Sequence, residues 1–223
     1  MNFIMAVPFE NPMVAFVLPL ILSCAPGDDL AVDALRLSLL GVASVHQSFL
    51  LSRSQACFDS AKEHMLLANA FRLKSKQTLA KACATPRGAQ SDAALGASLA
   101  ISLMDVSIPT VRLLVNVRKK LKAPRPGSRI PLTQIFTGGH NWVKNLTLAK
   151  TLVNVRGGPE ILLSRSATDE AGSGSSNGVF RAKLMLETLA VYDIFGGYAY
   201  GRGGHMHLPP LPDAQALLFL RTS

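Results

Sequence analysis

Residues 28–51 read DDLAVDALRLSLLGVASVHQSFLL, and this stretch decides the fold class. Pro26-Gly27 breaks the chain just before it, and Asp28 or Asp29 can supply the side chain that caps a helix N-terminus. From Leu30 to Leu51 the apolar residues recur at helical spacing, but too densely for a single stripe. The pattern therefore predicts a long helix that is covered on several sides.

Helical patterns continue on both sides of this stretch, and no strand-turn-strand alternation interrupts them. An earlier helix opens at Asn11-Pro12 and should kink at Pro19. The further predicted helices run from about Ser54 to Ala84, Ala93 to Met104, Asn141 to Arg156, and Val179 to Phe195. A hydrophobic content of 48% with only 6% aromatic residues also favours helices over a β-sandwich. The expected fold class is all-α, as a multi-helix antiparallel array.

Glycine, serine and proline mark the expected breaks between helices. Gly157-Gly158-Pro159 should stop the helix that begins at Asn141, with Arg156 near the negative end of its dipole. Residues 167–178 (ATDEAGSGSSNG) have the composition of a flexible loop. Gly196-Gly197 should end the last helix, and residues 204–223 should form an irregular tail.

The positive charge of the chain is concentrated in one segment. The formal net charge is +9, yet residues 106–134 carry seven basic residues and no acid, which leaves +2 for the rest. The seven residues are Arg112, Arg118, Lys119, Lys120, Lys122, Arg125 and Arg129. The chain as a whole is therefore not a basic nucleic-acid binder, although this segment is basic.

Three interpretations of the basic segment remain open. Lys119-Lys120-Leu121-Lys122 fits a short nuclear-localisation pattern, and Arg118, Arg125 and Arg129 extend the basic contact. Alternatively, the segment 111–129 could bind a membrane surface or nucleic acid, with one apolar helix face on anionic lipid. That face would consist of Val111, Leu114, Val117 and Leu121. The third interpretation is a solvated loop without a binding role.

The remaining composition argues against other classes of protein. Cys24, Cys57 and Cys83 are widely spaced and form no CxxC pair, so a disulfide framework or zinc finger is unsupported. Met13–Ala25 is apolar but 13 residues long, whereas a membrane-spanning helix needs about 20. The preceding residues include Glu10 and no Lys or Arg, unlike a signal peptide. We therefore expect a buried helix there and no transmembrane segment.

No motif makes a strong case for catalysis. Residues 174–178 match GxSxG, but a nucleophile elbow at Ser176 needs a preceding strand, and the residues before it look like a linker. A serine hydrolase stays a minor alternative. His205-Met206-His207 lacks further ligands at metal-binding spacing, and HExxH is absent.

Two further polar residues can be explained without a functional role. Asp193 lies on the apolar stripe of the last predicted helix, where it is expected to reach water or a loop N–H rather than act as an acid. Asn145-Leu-Thr147 is a glycosylation sequon, but it falls inside a predicted helix. We therefore predict a protein that is not an enzyme and has no metal site.

The predicted helices carry short motifs in a characteristic order. ENPMVAFVLPL is followed by an Ala/Leu-rich helix that ends near Phe49, and AKEHM stands at 61–65. GHNWVKNL at 139–146 is followed by RGG, and LMLETLAVYDIF stands at 184–195. In this order they resemble the opening helix pair, the "A..HY..AL" helix, the Trp helix and the "L.E..AY.DVFG" helix of the all-helical regulatory domain of fungal zinc-cluster transcription factors. The likeness covers about residues 9–203.

The resemblance implies a nuclear, non-enzymatic regulatory domain that acts through protein or effector contacts. Its implied partners are proteins of the transcription machinery, with a homodimer as an alternative, and DNA only indirectly. The six-cysteine cluster of the family is absent from this chain, so no zinc cofactor is expected here. The family domain would also continue with more helices, which suggests an incomplete domain.

One departure from the family coincides with the basic segment. In the family, the small-residue helix runs almost directly into the Trp helix, so Asp105 should join Ile135-Phe136. The stretch 106–134 therefore looks like an irregular basic insertion or a disordered loop. We hypothesise that it is untranslated sequence that is read through, such as a retained intron in the gene model.

Overall fold

The computed structural model describes residues 17–120, 141–170 and 177–200, and within these ranges it contains helices and turns but no strand. We label the α-helices α1 (Leu18–Leu22), α2 (Leu30–Leu51), α3 (Phe58–Cys83), α4 (Pro86–Ala89), α5 (Asp92–Lys120), α6 (Asn141–Val155), α7 (Pro159–Glu170) and α8 (Asn177–Tyr200). A 3₁₀ turn, Gln55–Cys57, precedes α3. The expected all-α class is confirmed.

Local capping sets the ends of several helices as expected from the sequence. The Asp29 carboxylate accepts hydrogen bonds from the backbone N–H groups of Ala31 (2.7 Å) and Val32 (3.2 Å), so Asp29 is the N-cap of α2. After α6, Gly157 and Gly158 have φ values of 95° and 93°, which a side chain would oppose. The Gly158 N–H donates to the Val153 carbonyl oxygen at 3.0 Å and closes the helix end.

The long helices run antiparallel to their chain neighbours. Ser48 Oγ of α2 donates to the carbonyl of Ala61, and Ser75 Oγ of α3 donates to that of Ala34, so the two helices run in opposite directions. Helix α5 packs against α2 and α3 on one side and against α6 and α8 on the other. Small residues permit the close approach: a Cβ on Gly41 would lie 2.2 Å from Met104 Sδ.

The core follows α5. Nearly every residue from Ala93 to Met104 is buried, and Leu95, Ile101 and Met104 are fully enclosed. Leu35 of α2, Leu146 of α6 and Leu189 of α8 complete this centre. Each fully buried aliphatic side chain contributes roughly 1.5–3 kcal/mol through removal of its surface from water. Helix α2 is covered by α1, α3 and α5, as expected for a helix packed on several sides, and keeps one exposed face that includes Leu40 at 47%.

Several helix ends differ from those predicted. The helix expected to stop near Met104 continues to Lys120 with Pro109 inside it, because Ile108 and Val111 have core surface to cover. Helix α7 occupies 159–170 and α8 begins at Asn177, so both ends of the loop predicted at 167–178 are helical. Helix α8 also continues through Gly196-Gly197, and Pro19 lies in the first turn of α1. The start at Asn11 and the tail 204–223 lie outside the described residues.

Two of the helices are long and apolar enough to cross a membrane by composition, namely Leu30–Leu51 and the stretch Asp92–Arg112. In the second, 61% of the most apolar window is buried against other helices. Core helices of folded domains meet the same criterion, so these two segments are weak evidence for membrane spans.

Candidate functional site

A buried carboxylate, Asp105, is the centre of a cluster of four polar side chains. Its side chain is 0% exposed and accepts hydrogen bonds from Arg72 Nη1 at 2.5 Å and Lys76 Nζ at 2.7 Å. The Asn145 amide Nδ2 donates to the same carboxylate. Helices α3, α5 and α6 are therefore tied together at one point, in a way that compensates the cost of burying the charge.

The Asp105 cluster holds two cations against one anion. Arg72 and Lys76 keep 21% and 28% of their side chains exposed, so both still reach solvent. Sequence patterns did not identify this cluster, because the partners of Asp105 lie 29 to 40 residues from it along the chain. The only available signal was a lone acid, Asp105, at the end of a helix of small and aliphatic residues.

A second cluster joins the start of α5 to α8 and to the end of α6. The Asp92 carboxylate accepts from Arg156 Nη1 and from Arg181 Nε, each at 2.9 Å. Arg156 is only 4% exposed, and its Nη2 also donates to the Ser91 carbonyl. Burial lowers the pKa of Arg156, whereas Asp92 acts in the opposite direction. Arg156, expected to interact with the helix dipole, thus binds a specific carboxylate.

Asp193 has a partner that the sequence did not reveal. Lys150 Nζ of α6 contacts its carboxylate at 2.6 Å, with side-chain exposures of 12% and 21%. Asp193 therefore reaches water with part of its side chain, as expected, but its partner is a lysine instead of a loop N–H. The pair joins α6 to α8, and the described residues place no second carboxylate on it.

The basic residues predicted as a nuclear-localisation signal or contact surface begin within α5. The backbone of Arg118, Lys119 and Lys120 belongs to its last turn, which corrects the expectation of an irregular loop from residue 106. Their side chains, and the whole of Lys122, Arg125 and Arg129, lie outside the described residues.

Part of the predicted lipid-facing stripe packs inward. Val111, the first of its four residues, is 6% exposed, and Ile108 one turn earlier is equally buried. Arg112 is exposed. Val111, at the start of the segment 111–129, therefore belongs to the helical core.

The other motifs gain no chemical support within the described residues. His46 is exposed on α2 and His64 is half-buried on α3. No group of three or more His, Cys, Asp or Glu side chains that could hold a metal occurs among the residues described. His140, His205, His207 and Ser176 lie outside them. The Asn145 amide of the sequon is engaged with Asp105.

Burial shifts the pKa of two other groups. It raises the pKa of the Cys83 thiol, against the attraction of Arg156, and so keeps this half-buried cysteine protonated. It also raises the pKa of Tyr192 on α8 to about 12. Neither group lies beside a base that could activate it among the described residues. The polar clusters therefore act as links between helices.

Comparison with known proteins identifies the family. The family model described as "Fungal specific transcription factor domain" matches residues 2–214, nearly the whole chain. Among curated proteins and solved structures, no significant match was found. Since the matched range includes every described helix, this chain belongs to the fungal-specific transcription factor domain family and has a role in the regulation of transcription.

Proposed function

We propose that this chain is a regulatory domain that controls transcription through contacts with proteins or an effector, without catalysis. The observation that carries the proposal is the family match over residues 2–214. The buried clusters around Asp105 and Asp92 support it, because they stabilise a helical scaffold instead of placing reactive groups on a surface. Proteins of the transcription machinery are the proposed partners, with homodimerisation as an alternative and DNA contacted only indirectly.

A reporter assay tests the regulatory role. The chain is fused to an unrelated DNA-binding domain and compared with that DNA-binding domain alone at a promoter carrying its site. We expect a change in reporter output that Asp105→Asn abolishes and that Asp59→Asn, on an exposed pair, leaves intact. Immunoblots verify that the fusions accumulate equally. Unchanged output from a folded fusion would contradict the proposal.

Nuclear localisation is part of the same proposal. A fluorescent fusion of the chain should concentrate in the nucleus, and Lys119→Ala/Lys120→Ala/Lys122→Ala should reduce this if the basic run directs import. Arg53→Ala/Lys144→Ala is the matched control, since both side chains are exposed elsewhere on the molecule. A fusion excluded from the nucleus would argue against this localisation.

We also propose that the chain does not catalyse a reaction and holds no zinc cofactor. Both proposals can be tested directly. A fluorophosphonate probe should leave the chain unlabelled. The residues before Ser176 look like a linker, whereas a nucleophile elbow needs a strand there. Elemental analysis of the purified chain should give no stoichiometric zinc. Labelling that Ser176→Ala removes would favour a hydrolase.

We also propose that residues 106–134 are an insertion derived from a retained intron. Seven basic residues without an acid interrupt a chain of nearly balanced charge. Asp105 and Asn145, which flank the stretch on either side, are in hydrogen-bond contact. Six residues, Ile135 to His140, would then connect Asp105 to Asn141, and a chain of that length spans up to about 20 Å.

Sequencing of transcripts across this point tests the insertion directly. Most messages should join the codon of Asp105 to that of Ile135. If nearly all messages carry the stretch, the proposal is abandoned. Binding of the purified chain to anionic vesicles or to duplex DNA, with and without 106–134, tests the alternative function through 111–129. Loss of all binding on deletion would favour that alternative.

A further inference from the structure

The connection between α3 and α5 contains an exposed threonine that is followed by proline. Thr85-Pro86 is the only Ser-Pro or Thr-Pro pair in the sequence. Thr85, Pro86 and Arg87 are exposed, and none of residues 84–90 is buried. Proline has no backbone N–H, and proline-directed protein kinases select their acceptor residues by this neighbour. The sequence and the exposure therefore make the Thr85 hydroxyl a candidate acceptor for such a kinase.

The local structure around Thr85 leaves its hydroxyl within reach. Its backbone is extended, with φ −105° and ψ 142°, as expected for a residue before proline. Its Oγ1 accepts from the Gly88 N–H at 3.1 Å and donates to the Ala82 carbonyl oxygen at 3.0 Å. Helix α4, which follows, has four residues and none of them is buried. A connection with so little buried surface can open locally while the helices beside it stay folded.

The charges near Thr85 favour the addition of a phosphate. Residues 64–91 contain five basic residues and no acid. Lys81, four residues before Thr85, and Arg87, two residues after it, are exposed. Within the described part of the chain, neither has a carboxylate within 4 Å. A phosphothreonine carries about two negative charges at neutral pH and binds cations of this kind.

Burial separates Thr85 from a competing acceptor. Ser75 lies three residues after Arg72, which is a spacing that kinases with basic specificity favour. However, Ser75 is 0% exposed, and its Oγ donates to the Ala34 carbonyl oxygen at 2.8 Å. A kinase has to accept the proton of the substrate hydroxyl with its catalytic aspartate, so it could reach Ser75 only after α2 and α3 had separated. Thr85 needs no such rearrangement of the core.

We propose that Thr85 is a phosphorylation site for a proline-directed Ser/Thr kinase. The Thr85 Oγ1 attacks the γ-phosphorus of Mg²⁺-bound ATP and forms a new P–O bond. The bond from that phosphorus to the oxygen that bridges it to ADP breaks, and ADP leaves with the electron pair. The hydroxyl proton passes to the aspartate of the kinase. This inference goes beyond the proposed regulatory role and does not depend on it, because the transfer is measured on the purified chain.

Mass spectrometry after a kinase reaction tests the proposal. The purified full chain is incubated with Mg²⁺, ATP and a purified proline-directed kinase, and a synthetic peptide of residues 79–91 verifies that the kinase accepts the sequence. We expect the folded chain to gain one phosphate, which fragmentation assigns to Thr85. A chain that stays unmodified while the peptide is phosphorylated would overturn the proposal, as would a phosphate only at other residues.

Variants of the dipeptide establish the specificity. Thr85→Ala should abolish the transfer, and Thr85→Ser should retain it, because serine keeps the hydroxyl. Pro86→Ala should reduce the initial rate by about tenfold or more. Thr78→Ala is the matched control, since Thr78 lies on α3 before a leucine, and it should be modified normally. Circular dichroism verifies that all four variants remain helical.

The rate for Pro86→Ala decides the class of kinase. A rate of transfer to Thr85 that equals that of the unaltered chain would overturn the proline-directed assignment. Loss of transfer in Thr78→Ala would also overturn it, because the acceptor would then lie on α3.

Discussion

Asp105 shows how much a single residue contributes to this fold. Its carboxylate is fully enclosed and binds groups from two neighbouring helices. Compared with well-packed apolar side chains, such a buried ion cluster adds little to the free energy of unfolding. Removing one partner, however, leaves the other charges poorly compensated. Arg72 and Lys76 retain some solvent access, which limits this loss.

We expect Asp105→Asn to lower the free energy of unfolding by about 2–4 kcal/mol. Urea denaturation followed by circular dichroism measures the change. Asp59→Asn is the control, because Asp59 is 92% exposed in its pair with Lys62 and such pairs contribute about 0–1 kcal/mol. Equal effects of the two substitutions would show that the Asp105 cluster is not a stabilising link.

Gly41 is the second residue at which a substitution should have a definite effect on stability. A Cβ there would lie 2.2 Å from Sδ of the fully buried Met104, so Gly41→Ala should cost about 1–3 kcal/mol through overpacking. At Gly96 the nearest atom to a new Cβ, Leu35 Cδ1, is 3.3 Å away. Gly96→Ala should therefore be close to neutral, since the gain in helix propensity of about 1 kcal/mol offsets mild crowding. Thermal denaturation compares the two variants, and destabilisation by Gly96→Ala alone would refute this account.

At the scale of elements, the helices are joined by polar links as well as by their apolar faces. Asp92 connects α5 with Arg181 of α8 and with Arg156 after α6, and Lys150 and Asp193 connect α6 with α8. Helix α8 also packs Tyr192 against the core. Because these links are ion pairs, the orientation of α8 depends on the charges of the residues that form them.

Tyr192 provides a test of that packing through pH. Its pKa is raised to about 12 by burial, above its ordinary value of 10.0. Between these two values the unfolded chain loses the phenolic proton while the folded chain keeps it, so this group lowers stability as the pH rises. Below pH 10 its contribution is fully present.

We expect Tyr192→Phe to remove this part of the alkaline destabilisation, which is on the order of 2 kcal/mol across the window. Urea denaturation at a series of alkaline pH values, with the difference between the two proteins taken at each pH, isolates the tyrosine from the lysines. Parallel stability curves for the two proteins would contradict burial of this hydroxyl.

At the scale of the whole molecule, the segment 106–134 poses the main question. The structure packs Ile108 and Val111 into the core, whereas the insertion proposal removes both. If the insertion proposal is right, deletion of 106–134 leaves a chain that unfolds cooperatively, with a midpoint in urea no lower than that of the full chain. If these residues are an intrinsic part of the core, deletion should cost several kcal/mol through the two lost side chains.

The sequence by itself determined the helical class, the existence of the long helices, a cap by Asp28 or Asp29 before Leu30, and the stop at Gly157-Gly158. These features depend on spacing and side-chain chemistry within a few residues, which a linear pattern contains. It also carried the family resemblance that the match over residues 2–214 confirms.

Only the tertiary structure decided which polar residues meet and where α5 ends. Asp105 and Asp92 find their partners 29 to 89 residues away, on helices whose relative placement no local pattern encodes. The continuation of α5 beyond Met104 depends on core surface that Ile108 and Val111 cover, and this overrides the helix end near Met104 that the sequence pattern predicts. The physical reason is the same in both cases: burial is a property of packed helices, not of one helix alone.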